Sequence, residues 1–266
     1  MAEQAEAKAA SGMDTGTLGK AMALVELVAE ASTPLRFTDI LHASGQPRGT
    51  LHRQLRHLVE EGLIDTDSDG TYVPGLRLLR LASRAWSRNE FRQLAAPHLQ
   101  KLHDATGETV HLALLRGAEV IYLDKVEARQ AVRMHSLIGN ASPAYCTGVG
   151  KAALATLDDA DIRARLETVR FERFTDTTHA DLASLLRDVG EIRQRGFAYD
   201  LEEHQPGIRC VAASIRVPEQ GILAGVSVTA PAYRVTEGVL DSWAAPLLVA
   251  AHAILRDSEV GLGPRR

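Results

Sequence analysis

The chain has 266 residues, 45% of them apolar and 24% charged, which suffices for two domains with proper cores and excludes a disordered or fibrous protein. Thirty Lys and Arg against 34 Asp and Glu leave a formal charge of −4, so bulk composition gives no sign of a nucleic-acid partner. The two cysteines, Cys146 and Cys210, are too few for a disulfide framework, and the ten histidines lack HxH or HExxH spacing, so neither a metal nor another cofactor is expected.

Residues 1–14 are rich in Ala, Glu and Lys, hold no large apolar side chain except Met1 and Met13, and are expected to form a disordered tail. They lack the apolar stretch of a secretory signal, and no run of roughly 18 to 20 consecutive apolar residues follows, so a cytoplasmic protein with no membrane partner is expected. From Thr17, Leu18, Met22, Val25 and Ala29 mark one stripe of an amphipathic helix that Ser32-Thr33-Pro34 stops. Phe37, Ile40 and Leu41 predict a second, shorter helix over about 37–43, broken by Gly45 just before Pro47, a residue suited to the first position of the next helix. That third helix, about 47–61, buries Leu51, Leu55 and Leu58 and is expected to turn Thr50, Arg53, Gln54 and His57 to solvent. A short hairpin with an Asp69-Gly70 turn completes a winged helix-turn-helix over 15–75.

Leu76, Leu78, Leu79 and Leu81 interleaved with Arg77, Arg80 and Arg84 predict a connecting helix over 76–88 at the domain boundary. Its leucines suit burial against a second subunit or, equally, within one subunit. From about 107 the period changes. Strands are predicted over 109–115, 120–123 and 131–138, then helices over 148–157, 158–168 and 181–195, then strands over 196–199, 211–217 and 222–229, then a last helix over about 236–256. This is an α+β domain over 89–258 with a mostly antiparallel sheet, followed by a flexible tail over 259–266.

Winged helix-turn-helix proteins read base edges with the start of the second helix of the motif. Between Gln46 and His57 the chain carries Arg48, Arg53 and Arg56 and no acid, so that face is positive despite the negative total. Arg pairs bidentately with guanine, and Thr or Gln contacts bases or phosphates, which makes Arg48, Gly49, Thr50, Arg53, Gln54 and His57 the candidate DNA-contacting set. The run Gly148-Val149-Gly150-Lys151-Ala152 superficially matches nucleotide-binding fingerprints. It fails both: Tyr145 and Ala152 stand where a phosphate loop needs Gly and Ser or Thr, and the segment before it contains Pro143 and no clear strand. An enzyme is the alternative reading, with Cys210 as nucleophile, His204 as base, and Glu203 or Asp200 orienting it.

The stretch from Gly196 through Asp200, Glu203, His204 and Cys210 to Ile215, together with the winged motif and the Gly-Lys-Ala helix start, closely resembles the C-terminal signature of the IclR family of bacterial transcriptional regulators. Arg216-Val217 replaces the aromatic and Asn/Asp pair that often closes that signature. The resemblance covers about residues 17 to 256. It implies a winged helix-turn-helix joined by a connecting helix to a GAF-like α/β effector-binding domain. It further implies a regulator that is not an enzyme, a repressor of catabolic genes controlled by a small organic or aromatic acid. Its partners would be a pseudopalindromic double-stranded DNA operator, the effector, and further copies of itself as a homodimer or dimer of dimers. By matching position the effector pocket would draw on Thr147, Gly148 and Val149, on Asp200 and Cys210, and on Ser227 and Thr229. Part of this is independent of the resemblance: Ser227 and Thr229 lie two apart in an otherwise apolar strand, so both point to one face and need polar partners there.

Overall fold

The computed structural model describes residues 16–128 and 136–262, and the predicted tail over 1–14 lies outside them. The chain divides into two compact units between Arg88 and Asn89.

In the first unit, helices α1 (Gly16–Glu30), α2 (Phe37–Ser44) and α3 (Arg48–Glu60) precede the two-stranded antiparallel sheet of β1 (Ile64–Thr66) and β2 (Tyr72–Pro74). Leu24, Val25 and Val28 of α1 meet Ile40, Leu51, Leu55, Leu58 and Ile64 in one core, each large side chain contributing roughly 1.5–3 kcal/mol by its removal from water. Gly45 ends α2 in the left-handed conformation, φ 61°, which a residue with a Cβ adopts at a cost; this tight turn sets α3 across α2. Helix α4 (Leu76–Ser87) closes the unit and has no fully buried residue. Leu78 packs on the core, whereas Leu76 and Leu79 remain 75% and 67% exposed. The first unit by itself therefore leaves the Leu76 and Leu79 side of this helix uncovered.

The second unit starts with α5 (Glu90–Thr106), capped by the Asn89 side chain accepting from the Arg92 amide. There follow β3 (Thr109–Arg116), β4 (Glu119–Val126), β5 (Ala141–Pro143), a 3₁₀ turn over Ala144–Cys146, and α6 (Gly148–Leu154). Then come α7 (Asp159–Leu166), α8 (Leu182–Arg195), β6 (Ala198–Leu201), β7 (Ile208–Val217), β8 (Ile222–Pro231) and α9 (Glu237–Gly261). The six strands form one sheet in the order β5-β4-β3-β8-β7-β6, antiparallel at every pairing. The two faces of the sheet are separated by strand alternation. Val110, Leu112, Val211, Ala213, Val226 and Val228 pack with α5 and α9, while Ala113, Leu115 and Ala212 pack with α6, α7 and α8.

Several expectations need correcting. The third strand expected over 131–138 does not form in its described part, Ser136–Ile138; residues 131–135 lie outside the described residues. The strand that pairs with β4 is instead the three-residue edge β5, which includes Pro143, a residue tolerated at an edge because it owes no ladder hydrogen bond there. A strand thus does precede the Gly-Lys-Ala helix, but it is antiparallel to its neighbour, unlike the parallel unit of a dinucleotide fold. The last helix continues to Gly261, into the stretch expected to be a flexible tail, where Ser258 is buried and Leu262 packs against the core. Helix α9 is long and apolar enough to cross a membrane by composition. It spends that apolar character on the sheet, burying Leu240, Trp243, Leu247, Ala251 and Ile254 in the core.

Candidate functional site

The first candidate site is the outer face of α3. Arg48, Gly49, Arg53 and His57 are exposed and Thr50 is half-buried. Gln54 is not on that face: it is 9% exposed and lies with Leu51, Leu55 and Leu58 on the core side. The physical reason is angular, since 54 follows 51 by three residues and precedes 58 by four, the spacing of one helix face. His52 takes an exposed position in its place and tilts against the Phe37 ring. Arg56 is exposed and 3.6 Å from Glu60 one turn on, which softens the positive charge at the C-terminal end of the helix and leaves Arg48 and Arg53 to carry it at the start.

The second candidate site is a cavity of about 240 Å³ on the α6 side of the six-stranded sheet. One wall of it is the start of α6, which comes close to the strands. A Cβ on Gly148 would lie 2.6 Å from Cys210 Sγ, and one on Gly225 would lie 2.6 Å from the Val149 carbonyl oxygen, so both positions have to be glycine for the helix start to rest on β7 and β8. Antiparallel register then lines up the polar residues. Asp200 pairs with Cys210, Cys210 with Thr229, and His111 with Ser227, all on the face turned toward α6. Thr147, Gly148, Val149, Asp200, Cys210, Ser227 and Thr229, which the resemblance grouped, all line this one cavity.

His111, Tyr122, Ser136, Asn140 and Ser142 line it as well and were not singled out in the sequence, and His204, considered there only as the base of the enzyme alternative, lines it too. His111 was legible: it alternates with Thr109 in β3 as Ser227 does with Thr229 in β8. Tyr122 was not, because a bulge opposite Leu112 and Ala113 leaves Leu123 as an extra residue and puts Tyr122 and Asp124 on opposite faces despite their even spacing. Asp124 pairs with Arg92 of α5 at 3.0 Å, whereas the Tyr122 ring meets His111 with centroids 5.3 Å apart.

The hydroxyl pair is satisfied by side chains. Ser227 and Thr229 oxygens lie 3.2 Å apart, and His111 bridges Thr229 at 3.3 Å and Ser136 at 2.7 Å through its two ring nitrogens. Burial holds His111 neutral, its pKa pushed down to about 4, with Lys125 adding to the shift. Burial and the neighbouring negative Glu203 push the Asp200 carboxyl up to about 7, although it accepts from the Glu203 amide at 2.8 Å. The wall of the cavity can therefore lose or gain a proton near neutral pH.

Behind the wall stands a charged cluster. Lys151 is 1% exposed and places its ammonium 2.5 Å from Glu203 and 2.6 Å from Asp188. Burial works to deprotonate Lys151, but Glu203 and Asp188 outweigh it and hold the pKa above the usual lysine value. Burial likewise works against the charged Asp188, yet the hydrogen bond from His179 and the charge of Lys151 keep its carboxyl well below the usual range. His179, Asp188 and Glu203 present donor atoms within 4.8 Å of one another, the arrangement of a cation site whose cation is the lysine of this same chain. Lys151 thus bolts α6 to α8 and to the turn after β6, and it is not available to a phosphate.

The thiols are the reverse of activated. Burial, reinforced by Asp200, pushes the Cys210 thiol well above its ordinary pKa, and burial does the same to Cys146. A nucleophilic cysteine needs a stabilised thiolate, so the geometry disfavours the enzyme alternative.

The IclR helix-turn-helix family model matches residues 17–68, and the model for the C-terminal region of bacterial transcriptional regulator IclR matches residues 83–256. The chain belongs to the IclR family. Among its relatives is the HTH-type transcriptional regulator BhcR of Paracoccus denitrificans, 34% identical over 94% of this chain and 88% of that protein. Among solved structures, Thermotoga maritima IclR is 31% identical with a TM-score of 0.69, covering 90% of this chain and 97% of that one. An IclR homologue from Microbacterium hydrocarbonoxydans, crystallised with 4-hydroxybenzoate, shares the fold at a TM-score of 0.74 and 23% identity, covering 92% of this chain and 100% of that one. The regulator is thus a two-unit IclR protein, a winged helix-turn-helix followed by an α+β effector-binding domain. Its relatives are regulators and not enzymes, in agreement with the inactivated thiols.

Proposed function

We propose that the regulator is a cytoplasmic, ligand-responsive repressor of catabolic genes that binds a pseudopalindromic operator as a homodimer or dimer of dimers. It releases the operator when a small organic or aromatic acid enters the cavity beside Asp200. The observation that carries the ligand is the convergence of the helix-start loop and residues from all six strands of the sheet on one cavity lined by both polar and apolar groups. At about 240 Å³ it falls below the ~300–1,000 Å³ of drug-sized ligand pockets, which suits a small acid, and 4-hydroxybenzoate is the first to try because a homologue was crystallised with it. The exposed leucines of α4 support self-association, since Leu76, Leu79 and Leu81, which the first unit leaves uncovered, are costly to keep in water. A two-fold dimer in turn matches a two-fold operator. Repression is the sign of control that the family resemblance carries.

An anionic effector next to Asp200 raises that carboxyl further, so its binding takes up a proton near neutral pH. Calorimetry of aromatic and aliphatic acids in two buffers of different ionisation enthalpy, at pH 7.5, is expected to show proton uptake and an affinity that strengthens from pH 8 to pH 6. Proton release, or affinity that weakens over that range, would contradict an acid bound beside Asp200.

A further inference from the structure

The start of the recognition helix is held by a residue outside it. Phe37 opens α2 and is half-buried, one side of it packing on the winged-domain core. The rest of its ring is covered by the two residues that α3 presents one turn apart: the Arg48 guanidinium carbon lies 5.3 Å from the ring centroid, and the His52 ring lies 6.2 Å away, tilted by 60°. A guanidinium within about 6 Å of an aromatic centroid is attracted to its face. Arg48 is an exposed first residue of α3, with a long side chain that would otherwise sample many rotamers, and the side chains at this end of such a helix are the ones that meet base edges. An arginine already stacked in one orientation loses less freedom when it pairs with a base or phosphate.

We propose that Phe37 is a positioning residue for DNA recognition, an aromatic platform that orders Arg48, with His52 tilted against the same ring, before the operator arrives. The proposal rests on the reading that α3 contacts DNA. It differs from a purely structural role for Phe37 in one respect: its effect on DNA binding passes through Arg48.

The test is a double-mutant cycle on the full chain, read by fluorescence anisotropy with a fragment of the promoter upstream of its own gene. Phe37→Leu keeps the aliphatic contact with the core and removes the ring. The strength of an exposed cation–π contact predicts a loss of about 2- to 5-fold in operator affinity per recognition helix, with Phe37→Tyr retaining wild-type affinity. In an Arg48→Ala background the same Phe37→Leu change is expected to alter affinity less than 2-fold. Side-chain NMR of the free protein gives a second readout: the Arg48 Hε and Hδ resonances lose their ring-current shift in Phe37→Leu and keep it in Phe37→Tyr. Equal losses with and without Arg48, a gain in affinity on removing the ring, or Arg48 resonances indifferent to the ring would each overturn the proposal. If the wild type shows no selective binding to any promoter fragment, the DNA reading itself falls, whereas selective binding with an additive cycle defeats only the role of Phe37.

Discussion

Asp200 and His111 sit in the same cavity, and burial favours the neutral form of each, with opposite consequences for stability. His111 is lowered to about 4 from an ordinary 6.5, so between those values the unfolded chain binds a proton that the native protein refuses, and stability falls as pH drops from about 6.5 to 4. Asp200 is raised to about 7 from 3.8, so the native protein binds the extra proton, and stability falls as pH rises from about 4 to 7. The two slopes largely cancel between pH 4 and 6.5. Asp200→Asn removes one of them: urea unfolding is expected to show a gain of about 4 kcal/mol at pH 8 and a steeper loss on acidification than the wild type. An unchanged pH profile would show that Asp200 is an ordinary, ionised carboxylate. Lys151 is the other residue with a large predicted effect. Its replacement by Met leaves Asp188 and Glu203 without the cation now 2.6 and 2.5 Å away, and breaking a buried pair in this way costs about 3–5 kcal/mol. A loss below 1 kcal/mol in the same unfolding assay would mean that Arg195 and His179, which also meet Asp188 at 3.3 Å each, suffice without it. Gln54 was misplaced by drawing the buried stripe through Leu51, Leu55 and Leu58 alone: position 54, three residues after 51 and four before 58, lies on that same face, so the buried side is wider than its leucines mark.

Element type was legible wherever a periodic apolar pattern met a terminating signal, as in α1 before Pro34, α2 before Gly45 and α8 between the Asp181 cap and Gly196. It was less legible where no period exists. The three residues of β5 are too few to alternate, and the bulge at Leu123 leaves no mark in composition, so neither the edge of the sheet nor the inward turn of Tyr122 could be read in advance. The seven cavity residues came together because antiparallel register carries positions 200, 210 and 229 side by side, a relation between strands that no single segment contains. Helix α4 gives the clearest element-scale prediction. Its leucines at 76 and 79 are exposed in one chain, so Leu76→Glu with Leu79→Glu is expected to change the unfolding free energy of an isolated protomer by no more than about 0.5 kcal/mol while lowering the mass measured by sedimentation. If the mass is unchanged, α4 is not part of the interface between copies.

At the scale of the whole molecule, the charge of −4 that spoke against DNA is an average over unlike parts. Exposed Arg48 and Arg53 meet no acid between residues 46 and 57, while Glu60, Glu61 and Asp65 to Asp69 mask them in the sum. What the total does predict is weak attraction to random DNA, so in the proposed dimer selective binding is expected to depend on two recognition helices engaged together. Control by a ligand then requires only that the liganded and free proteins differ in operator affinity, by the 5- to 150-fold that typical coupling energies of about 1–3 kcal/mol supply. The most direct measurement is anisotropy of the full chain on its own promoter fragment and on a scrambled fragment, with and without the acid that binds the cavity most tightly by calorimetry. Salt-sensitive binding selective for the promoter, weakened at least about 5-fold by saturating acid, is the predicted result. Equal affinity for the two fragments, or selective binding that the acid leaves unchanged, would contradict it.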